Sequence, residues 1–132
     1  MSFGRHRSPT EVFEDHLRLR LEGNLEEDLR RNYAEDVVPL TVNSNATGHE
    51  DLRFSAERLS RQLPEAEFSI AAKQVRGPYA LLIWSASSPR FHAVEGADTF
   101  VIRDDKIVLQ TIHYGLRQPS ELNGGVSRAP LH

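Results

Sequence analysis

The links in the second half of this chain constrain its fold more than any other feature. Four stretches with strand character, at about 66–76, 78–87, 91–103 and 106–117, are separated only by Gly77-Pro78, Ser87-Ser88-Pro89 and Asp104-Asp105. A parallel crossover needs about a dozen residues or more, so links this short join only antiparallel neighbours. The four stretches are therefore expected to form one antiparallel meander.

The first half reads differently. Ser8-Pro9-Thr10-Glu11 has the form of a helix start, with Ser8 as N-cap, Pro9 in the first turn and Glu11 completing a capping box. The stripe Val12, Phe13, His16, Leu17, Leu21 follows at helical spacing, and Gly23 is a natural stop. Asn24 then caps a second helix with Leu25, Leu29 and Tyr33 at steps of four, so the two helices form a tight hairpin. Val37 to Val42 reads as a short strand whose Pro39 suits an edge. After the loop Asn43 to Gly48, a third helix carries Leu52, Ala56, Leu59 and Leu63, and Pro64 ends it. Three helices on one face of a bent sheet are the economical packing for this order, an α+β fold.

Bulk properties exclude several function classes. The formal net charge is −3, which argues against a nucleic-acid binder, since such a protein needs a basic face. The arginines are interleaved with acids, as in Glu26-Glu27-Asp28-Leu29-Arg30-Arg31, which reads as a solvated helix face. With no cysteine, disulfides and thiolate chemistry are excluded. No apolar run has the length of a membrane span and the N-terminus has no secretory apolar core, so the cytoplasm is the expected location.

Asp98 is the most informative position. It shares a strand face with Phe100 and Ile102, and a carboxylate on an inward face is costly unless paired or protonated. A structural aspartate bonded to backbone or arginine and an acid–base group are both open readings. His16 lies in an apolar slot of the first helix, as a core histidine or as a partner for Asp98. Tyr33, Trp84 and Tyr114 have the size and polarity to line a small-molecule pocket, together with Phe100. His92 and His113 lie on strands, with His113 facing either the pocket or the back of the sheet. His16, His92, His113 and Asp98 lack a metal-ligand spacing, and no phosphate loop, nucleophile elbow or zinc-protease motif occurs. No metal and no cofactor are expected. Leu81, Ile83 and Val101 point away from the helices, and a homodimer through the sheet is the simplest cover for them.

Taken in order, several segments resemble the nuclear transport factor 2-like superfamily, and within it the SnoaL-like polyketide-cyclase group. They are Glu22-Gly23-Asn24-Leu25, Tyr33-Ala34-Glu35-Asp36, Gly48-His49-Glu50-Asp51-Leu52 and the hairpin Ala97 to Ile107. The resemblance runs from about Pro9 to Arg117. It implies a cystatin-like α+β domain at 9–117, a curved antiparallel sheet with three helices around a conical pocket, between an extension at 1–8 and a tail at 118–132 predicted to be dispensable for the pocket. It also implies that Asp98 matches the oxyanion-hole aspartate of ketosteroid isomerase and His16 its tyrosine. Thr41 stands where the catalytic base would be, and threonine cannot serve as that base, which argues against ketosteroid isomerase activity. In the polyketide cyclases a pocket aspartate and histidine act as acid and base, parts that Asp98 and His16 are expected to fill by meeting in the pocket. The expected function is binding of a small apolar or polycyclic molecule, with isomerase, cyclase, dehydratase or hydrolase chemistry. The alternative is a non-catalytic ligand-binding or dimerisation module.

Overall fold

In the computed structural model the described residues are 6–43 and 46–120. Helix α1 (Pro9–Leu21) begins as the sequence predicts. The Ser8 side chain accepts from the Glu11 backbone and the Glu11 carboxylate accepts from the Ser8 N–H, satisfying two otherwise orphaned donors. Its buried side is Val12, Phe13, His16, Leu17 and Leu19, whereas Leu21 is 59% exposed at the helix end. Helix α2 (Leu25–Asn32) is capped by Asn24 and buries Asp28, Leu29 and Asn32.

Tyr33 does not continue α2. It is extended and opens strand β1 (Tyr33–Leu40), so the strand starts four residues earlier than the sequence reading places it. Tertiary pairing overrides the apolar step of four here, because Tyr33 lies beside Ile107 of the last strand. Helix α3 (His49–Gln62) is tied to β1 through the Gly48 N–H, which donates to the Val37 carbonyl. Gly48 has φ +94°, and an added Cβ would lie 3.3 Å from the Glu35 carbonyl oxygen.

The remaining strands are β2 (Glu67–Arg76), β3 (Tyr79–Ser87), β4 (His92–Arg103) and β5 (Lys106–Arg117), within one residue of the expected meander. The sheet order is β1-β5-β4-β3-β2. Pro39 therefore lies on an edge strand, as expected. The sheet is mixed rather than wholly antiparallel, because β1 runs parallel to β5, a pairing reached through α3 and the meander. It curves without closing, and the helices cover one face. Phe13 of α1 meets Phe100 of β4 edge-on, with ring centroids 5.3 Å apart, and the core continues through Leu29, Val37, Leu52, Leu82, Ile102 and Ile107. No helix among the described residues is long and apolar enough to cross a membrane. Of the tail at 118–132, residues 121–132 lie outside the described residues.

Candidate functional site

A cavity of about 930 Å³ opens between α1, α3 and the inner face of the sheet. Its walls are mainly apolar, from Leu17, Leu52, Leu59, Leu82, Ile112 and Leu116, with Asp98, Gln110 and His16 among the polar groups. Trp84 and Tyr114 stand side by side with centroids 5.5 Å apart, and Phe68 flanks Trp84 at 5.8 Å. Such a site, apolar with a few converging polar groups, fits a small-molecule pocket.

Asp98 is buried and borders this cavity, as its strand parity predicts. The Trp84 indole N–H donates to Oδ1 and the Gln110 amide to Oδ2, each at 3.0 Å. Gln110 is in turn oriented by the Tyr33 hydroxyl, which donates to its Oε1 in a short contact. Burial pushes the Asp98 carboxyl above the usual carboxylate range, while Trp84, Gln110, His16 and Arg20 pull it down by less. Burial likewise drives the Tyr33 hydroxyl well up, with Asp28 adding to the effect.

The local backbone is built around this contact. Trp84 sits opposite Gly96 on β4, where an added Cβ would stand 2.4 Å from Cδ2 and Cε2 of the indole. Glycine is required there for the ring to lie flat across β4. The pairing register shifts on both sides of this point, and Glu95 has φ +56°, so a bulge aims Trp84 and Asp98 at each other.

His16 does not meet Asp98. Its Nδ1 lies 2.8 Å from Oδ2 of Asp28, on the neighbouring helix of the hairpin, and Asn32 donates to the other Asp28 oxygen at 2.9 Å. The α1–α2 hairpin brings a closer carboxylate to His16 than the sheet does. The link between His16 and Asp98 is indirect: the Tyr33 hydroxyl stands 3.5 Å from His16 Nδ1 and donates to Gln110, which donates to Asp98. His16 still borders the cavity and packs edge-on against Phe100, with centroids 5.2 Å apart.

The other predicted site residues divide. Trp84 and Tyr114 line the cavity. Tyr33 and Phe100 are enclosed in the core behind it and do not reach its surface. His92 is away from it, at the start of β4. His113 touches the rim, but it alternates with Ile112 and Tyr114 and is exposed. Thr41 also borders the cavity.

Sequence reasoning missed Asp28, Gln110 and Arg20. Asp28 belongs to no solvated face. It is wholly buried, and Leu25, Asp28, Leu29 and Asn32 follow the i, i+3, i+4, i+7 rule, a signal that was available. Gln110 shares strand parity with Ile112, Tyr114 and Leu116. A bulge in β5 between Ile107 and Leu109 hides that parity from a reading begun at Ile107.

No family model and no curated protein matches this sequence. Solved structures do. A nuclear transport factor 2-like protein from Cytophaga hutchinsonii superposes with a TM-score of 0.64 at 10% identity, covering 92% of this chain and 99% of that one. The chain has the nuclear transport factor 2-like fold. A candidate SnoaL-like polyketide cyclase from Mesorhizobium loti shares that fold at TM-score 0.57 and 13% identity, over 82% of this chain and all (100%) of that one. IdmH of Streptomyces antibioticus, a candidate polyketide cyclase, matches at TM-score 0.66 and 15% identity, covering 82% and 92%. At such identities the nuclear transport factor 2-like fold is what is shared, and function has to be argued from this chain's own site.

Proposed function

We propose that the protein binds a small, largely apolar molecule, aromatic or polycyclic in character, in this cavity and moves a proton on it with Asp98, without a cofactor. Asp98 carries the reading. It is a carboxyl on the floor of a mostly apolar cavity, held by two neutral donors and raised by burial above its ordinary range. Raising a carboxyl toward the working pH is how an acid is made useful for proton transfer. Isomerisation, cyclisation, dehydration and hydrolysis all fit one such group. Two proteins of this fold are described as candidate polyketide cyclases, which is consistent with a small-molecule ligand. His16 contributes a wall of the site, held by Asp28.

The test begins with a ligand recovered from the purified protein by native mass spectrometry. If that ligand turns over, Asp98→Asn should slow the reaction by about 10²–10⁴-fold while the melt stays cooperative. The second reading is a non-catalytic binding module. It is favoured by both Asp98 oxygens already accepting hydrogen bonds and by Thr41 at the position of the isomerase base. Proton exchange into the bound ligand in deuterium oxide separates the two, since a pure binder leaves its ligand's hydrogens in place.

We further propose that the outer face of the sheet joins two copies. Leu81, Ile83 and Val101 are only half-buried there, and Tyr79 and Leu40, on the same side, are 58% and 51% exposed. Sedimentation equilibrium should give a dimer at micromolar concentration, and Ile83→Arg should give a monomer, because it would strand an unpaired charge in the interface. A wild-type chain that sediments only as monomer overturns this.

A further inference from the structure

We propose that the ligand is an organic carboxylate, a ring system whose acid group is received by Arg20, with Arg58 and Arg61 adding positive charge at the same cavity. The inference rests on the cavity being a ligand site, as proposed above.

The arginines of the three helices fall into two sets. Arg18, Arg30, Arg31 and Arg53 lie outside the cavity, and each bonds a carboxylate: Arg18 that of Asp15, Arg30 that of Glu27, Arg31 that of Asp15 and Arg53 that of Glu26. Arg20, Arg58 and Arg61 all border the cavity, and among the described residues none has a carboxylate at hydrogen-bond distance. A solvated helix face would distribute its ion pairs without regard to the cavity.

Arg20 is the one that acts on the buried polar groups at the cavity floor. Its side chain is only 29% exposed, and its charge is felt by both Asp98 and Tyr33. The Asp28 carboxylate stands 3.8 Å away, beyond hydrogen-bond length. Asp28 is also already engaged by His16 and Asn32. A guanidinium has five N–H donors in a planar fork that matches a carboxylate, and among the described residues Arg20 has only the long ion pair with Asp28, with no carboxylate engaging the fork by hydrogen bonds. Glu22, Glu57 and Glu65 also border the cavity. Glu22 is bonded to Arg18, and all three glutamates are exposed, so water screens them more than it screens Arg20.

The rest of the lining suits the body of such a molecule. Phe68, Trp84 and Tyr114 form a run of aromatic faces along one wall. Asp98 need not repel the ligand's acid. Burial already raises its carboxyl, and an anion arriving beside it would raise it further, which lessens the repulsion.

The chain has one tryptophan, Trp84, in the cavity wall, so its fluorescence reports occupancy. Naphthalene-2-carboxylate and naphthalene-2-carboxamide share one body and differ in charge. Titrated into the full-length protein at neutral pH, the carboxylate should bind tighter by about tenfold or more. Arg20→Gln should bring it down to the carboxamide's affinity, whereas Arg103→Gln, an exposed site on β4, should leave the preference as it was. Equal affinity for the two probes overturns the inference, as does a preference that survives in a folded Arg20→Gln. If Arg20→Gln does not fold, Arg58→Gln carries the test, and an unreduced preference there overturns it. Binding of both probes with no preference spares the ligand-site reading, whereas no response of Trp84 to either probe overturns that reading as well.

Discussion

Two buried aspartates face the same interior in different company. Asp28 is wholly enclosed off the cavity, bonded to His16 and Asn32, with Arg20 3.8 Å away. Asp98 is 8% exposed at the cavity, bonded among the described residues to the neutral donors of Trp84 and Gln110. Strong donors and a cation around Asp28 hold two helices together. Neutral donors around Asp98 orient it without compensating a full charge, and its open side meets a space large enough for a ligand. The difference teaches that burial alone does not mark a reactive carboxyl. The charge of its partners and its access to the cavity do.

The largest effect is expected at Asp28. Asp28→Ala takes the carboxylate acceptor from His16, one of two acceptors from the Asn32 amide, which keeps Asp15, and the nearest carboxylate from Arg20, and removing one member of a buried charged network costs about 3–5 kcal/mol. Urea denaturation should show this as a large fall in midpoint. A loss below about 1 kcal/mol would mean that the Asp28 cluster is not the structural one.

Gly96→Ala comes next. Its Cβ would stand 2.4 Å from the indole, so Trp84 has to move and its bond to Asp98 is lost. Overpacking of this kind costs about 1–3 kcal/mol. The emission of Trp84 should shift to the red as the ring leaves its buried place, whereas Asp28→Ala should leave the emission of the folded protein unchanged.

The smallest effect is the most specific, and it lies in pH dependence. Burial raises the Asp98 carboxyl in the folded state, opposed by Trp84, Gln110, His16 and Arg20. Between the unfolded and folded values the folded protein keeps a proton that the unfolded chain has released. Stability contributed by Asp98 therefore falls as pH rises from the ordinary carboxyl value of 3.8 through the folded value, and levels off above it. Asp98→Asn removes this falling limb, so the variant should gain on the wild type as pH rises through that window. Parallel melts across the acid range check the sign, and a variant that loses ground with rising pH would mean that the fold favours the Asp98 anion instead.

Much of this protein is written locally in its sequence. The Ser8–Glu11 capping box, the stop at Gly23 and the Asn24 cap depend on residues within one helical turn of each other, and all form as read. The meander follows from three short links that leave the chain no alternative to antiparallel neighbours. The inward parity of Asp98 also survives, because the bulge at Glu95 and Gly96 comes before it on β4 and leaves Asp98, Phe100 and Ile102 in step.

What tertiary structure alone decided is pairing across distance. The parallel register of β1 with β5 joins residues some seventy positions apart in sequence, and it converts Tyr33 from a helical residue into a strand residue that orients Gln110. Whether His16 meets Asp28 or Asp98 depends on how the α1–α2 hairpin closes, because both carboxylates are on elements that pack against the same face of α1. Hydrophobic periodicity shows which side of an element is buried but not which buried polar group lies opposite. The partner is set by side-chain reach of a few ångströms between elements, and that distance exists only once the core has packed.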